Sequence, residues 1–259
     1  MSKLPVLQLV RRLPVFLRLP ATKMLHRRYG CDLTLSPEDF RGCRVLILGP
    51  ARTLADDLTS LDPSDFDVLV KMNNGLDTPV PLPSGNAMHC DVLLHSATCE
   101  ARPITADKLR QAGVKVLVHR TPTKSSFLQT MLLQARFGKL LRVRHIAWQA
   151  YRDLSTALDG ASPTTGLVGT CFFLHAPVSE VAIAGFTFFS TAYQPGYDDC
   201  VSSDSEAVGR IAAKGHHAPS KEAALLSREI ETARSKGVTV TLAPHVVTAM
   251  QRCAAVPSG

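Results

Sequence analysis

A histidine two residues ahead of a proline is the most chemically suggestive feature of this sequence. His217 precedes Pro219, and proline favours the first position of a helix. The positive end of a helix starting there disfavours imidazolium and keeps the ring neutral near pH 7, and a general base must be neutral. Glu222 follows five residues on, in the first turns of that helix, where a carboxylate suits the dipole. The plainer alternative is an exposed His216-His217 pair in a surface loop. Upstream, Ser162-Pro163-Thr164-Thr165-Gly166 leads into the apolar run LVGTCFFLHA. A helix start of this kind either aims unpaired N–H groups at a phosphate or carboxylate, or is simply capped by Ser162 or Thr164. Asn73 and Asn74 carry amides that both donate and accept, which suits a nucleobase or ribose. Asn-Asn-Gly is equally a turn sequence.

Other chemistries find little support. Asp65-Phe66-Asp67 enters a strand at its amino end, and Asp198-Asp199 is a commonplace carboxylate pair, so metal catalysis is not expected. The sequence contains no GxxxxGK[ST], GxSxG or GxGxxG, which disfavours ATPases, hydrolases and ordinary dehydrogenases. Its seven cysteines (Cys31, Cys43, Cys90, Cys99, Cys171, Cys200 and Cys253) form no CxxC and no zinc spacing. Free thiols in a reducing cytoplasm are the expectation.

Apolar runs must carry these residues into one place. Cys43–Gly49, Phe66–Met72, Cys90–His95, Val114–His119, Val181–Phe186 and Val238–Leu242 are apolar on both faces, as buried parallel strands are. Helical stretches at Thr53–Leu61, Thr105–Ala112, Ser125–Arg136, Thr165–His175 and Pro219–Lys236 separate them. The alternation predicts an α/β fold, a mostly parallel Rossmann-like sheet with helices on both faces. Ligands then bind beyond the carboxyl ends of the strands, at Gly49-Pro50-Ala51, Asn73-Asn74-Gly75, His95-Ser96 and the segments after Gly185 and Leu242. Residues 76–89 and 191–217 read as long loops.

The 259 residues are 45% hydrophobic and 20% charged, enough for a sizeable core and incompatible with a disordered chain. The net charge of +7 is confined to the start. Residues 1–30 hold Lys3, Arg11, Arg12, Arg18, Lys23, Arg27 and Arg28 and no acidic group, so 29 − 7 = 22 basic residues balance 22 acidic ones in the remainder. No nucleic-acid partner is expected from that balance. Arg11, Arg12 and Arg18 break up any membrane span or secretory signal. Val6, Leu9, Val10, Leu13, Phe16 and Leu17 recur at helical spacing, either to lie on an anionic membrane surface or to pack as a first helix on the domain. Pro14 breaks any single long helix there. The division is therefore a basic amphipathic arm over 1–35 and one domain over 36–259, with a lid-like loop around 191–217.

In order along the chain, these pieces resemble the sialyltransferase superfamily, with its L, S, III and VS motifs. CRVLILGPARTLADDL…DFDVLVKMNNG is similar to the L motif, with Lys71-Met72-Asn73 at its (Arg/Lys)-x-Asn. SPTTGLVGTCFFLHAPVSEVAIAGFTFF is similar to the S motif, ending in Gly185-Phe186, and His217 to Glu222 fits the VS pattern His-x4-Glu. Tyr193 and Tyr197 sit where the family places tyrosines near the donor phosphate. The resemblance covers roughly residues 43–225.

It implies a sialyltransferase-type variant of the GT-A fold and an inverting, metal-independent glycosyltransferase without a cofactor. The donor would be a CMP-sugar carrying sialic acid or a related acid, and the acceptor a glycan or glycolipid hydroxyl. His217 would be the base, Tyr193 and Tyr197 would hydrogen-bond the leaving phosphate, and Thr164, Thr165 and Gly166 would hold the donor. Gly49, Ala51, Asn73, Asn74, Ser96 and Phe186 would complete the donor site. Pro50 stands where the family commonly has Asn, so one donor contact is missing or moved to Asn74. The disulfide joining the L and S motifs of animal-type enzymes is absent, its S-motif site falling near Pro177. The enzyme would be cytoplasmic and peripheral on a membrane. The rivals are a CMP-Kdo-type transferase, using 3-deoxy-manno-octulosonic acid, and a non-catalytic nucleotide-binding module.

Overall fold

The computed structural model describes residues 4–82, 85–98, 102–198, 200–215 and 217–255; Cys99, Asp199 and His216 lie outside them. The six expected strand runs form β1 (Arg44–Leu48), β2 (Val68–Met72), β5 (Val92–His95), β6 (Val116–His119), β8 (Glu180–Ala184) and β9 (Thr239–Leu242). With β7 (Arg142–His145) they make a seven-stranded sheet in the order β7-β6-β5-β2-β1-β8-β9. Every pair in it is parallel. The chain thus has the expected α/β Rossmann-like sheet. Strand β7 escaped the sequence reading because it is an edge strand of alternating residues: Val143 and His145 are buried and Arg142 is exposed. A search for continuous apolar runs passes over such a strand.

Side chains alternate between two core clusters on β5 and β6. Val92, Leu94, Val116 and Val118 join the larger cluster, with α7 (Thr165–Leu174) and α9 (Pro219–Ser235). Leu93 and Leu117 join the other, with α4 (Ala106–Gln111) and α5 (Phe127–Phe137). Helices therefore cover both faces, as a wholly parallel sheet requires. Around this frame lie α3 (Leu54–Asp57), α6 (Trp148–Ala157) and α10 (Pro244–Ala255). A small antiparallel hairpin, β3 (Val80–Leu82) with β4 (Gly85–Ala87), occupies part of the expected loop over 76–89.

Two expectations need correction. The helix expected over Thr53–Leu61 is only the single turn α3, whose C-terminal Asp57 carboxylate is fully buried. The segment 191–217 is not one irregular loop, because α8 (Asp204–Lys214) fills its second half. Ser203 and Glu206 form a reciprocal capping box that starts this helix. The arm is helical as well: α1 (Leu4–Arg12) and α2 (Val15–Leu33) meet at Pro14. Its Leu7 is buried against Phe127, Leu128 and Met131 of α5. Among the described residues no helix is long and apolar enough to cross a membrane.

Candidate active site

Four adjacent strands, β5, β2, β1 and β8, end side by side, and their carboxyl ends floor a cavity of about 500 Å³. The sheet runs outward in opposite senses from β1, through β2 on one side and β8 on the other, so this is the crevice where α/β sheets bind ligands. Every site residue proposed from the sequence lines it except Gly49. Gly49 lies beneath, where a Cβ would collide with the Gly185 carbonyl. Its N–H donates to Ala184 (2.8 Å), and that of Ala51 donates to Gly185 (3.0 Å). Gly49 thus lets the ends of β1 and β8 meet beneath the cavity. The turn after β9 is diverted too, its His245 donating its N–H to Asp57 (3.0 Å).

Beyond β2, Asn73 adopts a left-handed backbone (φ 48°), a conformation asparagine tolerates better than most residues. Its side-chain oxygen accepts from the Ser96 N–H (2.9 Å), locking the ends of β2 and β5 together. Asn74 donates to the Tyr197 carbonyl (2.8 Å) and accepts from the Arg102 N–H (2.8 Å). Its amide is therefore largely engaged in holding the 190s segment. Pro50 contributes in the same way, its carbonyl accepting from Gln194 N–H (2.8 Å). Asp204 ties down the far end of the segment, accepting from Ala192 N–H (2.7 Å) and pairing with Arg52 (2.6 Å).

That anchoring brings Tyr193 and Tyr197 together, ring centroids 5.0 Å apart. Burial pushes the Tyr193 phenol up to about 12, with Asp198 adding to the shift and Arg210 opposing it. Burial raises Tyr197 as well. Both therefore present O–H donors at neutral pH. Asp198 and Arg210 at the cavity edge pair with each other (2.6 Å).

The start of α7 faces them across the cavity. Thr164 is its N-cap: the hydroxyl accepts from Leu167 N–H (3.1 Å) and donates to Glu222 Oε2 (2.7 Å). The Thr164 N–H donates to Glu222 Oε1 (2.9 Å). The N–H groups of Thr165 and Gly166, next in the first turn, have no acceptor among the described residues. Of the two capping candidates, Thr164 rather than Ser162 caps the helix, and its first turn presents two N–H groups that no described residue accepts from. A Cβ at Gly166 would lie 2.7 Å from the Phe186 ring, so that glycine allows the helix start to sit against the ring.

His217 enters from the residues before α9. Its Nδ1 lies 2.7 Å from the Ser162 carbonyl. A carbonyl only accepts, so Nδ1 carries the proton and the lone pair of the neutral ring is on Nε2. Phe189 stacks on the imidazole (centroids 6.0 Å, 21°). Glu222 Oε1 is 3.9 Å from Nδ1. Burial lifts the Glu222 carboxyl to about 7, against the hydrogen bonds from Thr164 and the charge of Arg120.

Arg120 also lines the cavity. Its guanidinium donates to the Pro163 carbonyl (3.1 Å) and lies over the Tyr151 ring, while its Nε is buried without a partner. Sequence reasoning passed it over, although it directly follows the expected strand Val114–His119. Among the described residues no three His, Cys, Asp or Glu side chains converge to hold a metal ion. Cys31, Cys43, Cys90, Cys171, Cys200 and Cys253 are free thiols.

No protein-family model and no curated protein sequence matches the chain. Solved structures do. The sialyltransferase CstII from Campylobacter jejuni, in complex with the substrate analogue cytidine-5'-monophosphate, aligns with a TM-score of 0.50 and 15% identity, over 80% of this chain and 87% of that one. A single-site variant of Cst-II in complex with CMP aligns equally well (TM-score 0.50, 11% identity, 79% and 87% covered). The chain has the sialyltransferase fold. Within that fold the crevice described above lies at the carboxyl ends of the central strands, and the motif-like segments singled out in the sequence converge on it.

Proposed function

We propose that this chain is an inverting, metal-independent glycosyltransferase that moves sialic acid or a related acidic sugar from a CMP-sugar donor to a glycan or glycolipid hydroxyl. One observation carries the reading: on a sialyltransferase fold, a single cavity unites a histidine of fixed tautomer, a helix N-terminus with two open donors and a pair of protonated tyrosines. Nε2 of His217 takes the proton of the acceptor hydroxyl as its oxygen forms a bond to the anomeric carbon. The bond from that carbon to the phosphate oxygen breaks on the opposite face, and CMP departs with the electron pair. Tyr193 and Tyr197 donate to the departing phosphate. A single phosphate needs less neutralisation than a diphosphate, so O–H and N–H donors suffice where a diphosphate donor would call on a metal. Ala51, Asn73, Asn74, Ser96 and Phe186 shape the nucleotide end, and Thr164, Thr165 and Gly166 hold the acidic sugar. The same cradle suits any CMP-activated ulosonic acid, 3-deoxy-manno-octulosonic acid included. Its place would be the cytoplasmic face of a membrane, reached through the basic arm.

Release of CMP from CMP-sialic acid and its relatives tests the reading. His217→Ala should lower the rate by about 10²–10⁴-fold while CMP still binds by calorimetry. Tight CMP binding without turnover of any such donor would favour the non-catalytic module instead.

A further inference from the structure

A second cavity, of about 450 Å³, opens on the other side of His217. Phe188, Phe189, Ile211 and His217 line both cavities, so the proposed base stands at their junction. The two phenylalanines adopt left-handed backbones in succession (φ 49° and 63°), which is costly for bulky residues. The strained pair forms a wall between the cavities, with Phe189 stacked on the imidazole. Beyond that wall, Val208 and Ala212 of α8 face Ala249 and Cys253 of α10. Val208 is 53% exposed. Polar groups are few: Ser190, Ser220 and Arg252.

Such a lining discriminates between ligands. A sugar ring or a nucleobase brought here would lose hydrogen bonds to water and recover few of them. An alkyl or aryl group would lose none, and would cover Val208. The size lies within the range of small-molecule pockets. His217 lines both cavities, so a group seated in the second lies next to a molecule whose hydroxyl faces that ring in the first.

Building on the transferase reading, we propose that this second cavity seats an apolar aglycone, an alkyl or aryl group bonded to the acceptor sugar. The acceptor is then an amphiphile, and the enzyme reads its apolar part together with its hydroxyl.

Calorimetry with octyl β-galactoside below its micelle concentration, against methyl β-galactoside and without donor, tests this. With roughly half of the octyl methylenes seated, the octyl glycoside should bind on the order of 100-fold more tightly. Val208→Asp and Ala212→Asp, both at exposed positions of α8, should each reduce that preference at least tenfold without moving the thermal midpoint. Equal affinities for the two glycosides, or an octyl preference untouched by both variants, would overturn the proposal. Donor turnover is read separately. An octyl preference that responds to both variants, in a protein that never releases CMP, would refute the transferase reading and leave an apolar-ligand cavity that serves no acceptor.

Discussion

Glu222 is 3% exposed and satisfied by two Thr164 donors, yet its carboxyl is held near 7 rather than at the usual carboxylate value. Desolvation wins because Arg120 and the hydrogen bonds only partly repay the loss of water. The sign of the consequence follows from proton uptake. Between pH 4.5 and 7 the folded chain binds more protons at this site than the unfolded one, so its contribution to stability falls as pH rises through that window. Glu222→Gln has no such titration. Relative to the wild type it should gain on the order of 3 kcal/mol between pH 4 and pH 8, read from urea unfolding at the two pH values. A stability difference that stays flat across the window would show that burial does not shift this carboxyl. His95 and His119 act in the opposite direction. Burial lowers them to about 4 and about 3, so the unfolded chain takes up protons first and both destabilise the fold as pH falls below about 6.5.

At the scale of elements, the site depends on strand ends that approach closer than side chains allow. Gly49→Ala would drive a methyl into the Gly185 carbonyl, and Gly185 is itself held by its N–H donating to Asp57 (2.8 Å). Neither backbone can retreat, so a loss of about 3 kcal/mol or a failure to fold is expected in denaturant titration. Gly209, in the interior of α8 with open space around it, gives the opposite case. Gly209→Ala should stabilise by up to about 1 kcal/mol. These elements were unequally legible in the sequence. Strands buried on both faces announce themselves as apolar runs, and the residues just past four of them do line the cavity. Edge strand β7 and helix α8 did not stand out, because one is half polar and the other opens in a Ser- and Asp-rich stretch. Asp57 was invisible for a different reason: a carboxylate that ties β8 to the start of α10 by accepting from Gly185 and His245 acts through contacts 128 and 188 residues away in sequence, which no local pattern encodes.

For the whole molecule, charge and apolar exposure coincide in one place. Residues 1–30 carry all of the net charge, while the inward side of the arm, through Leu7, is sealed on α5. The arm packs on the domain, and still leaves Val6 and Leu9 64% exposed, Met24 67% and Phe16 72%. Scattered apolar residues are ordinary on a surface, but a concentration of them beside Arg11, Arg12 and Arg18 matches the two-part attraction of an interfacial helix, apolar insertion plus about 1 kcal/mol per basic residue near anionic lipid. The full chain should co-sediment with vesicles containing phosphatidylglycerol and much less with pure phosphatidylcholine, and the difference should shrink as salt rises. Phe16→Ser should weaken binding at every salt concentration, because it removes the part of the attraction that ions do not screen. Equal recovery with both lipids would mean that the arm's charge serves another purpose.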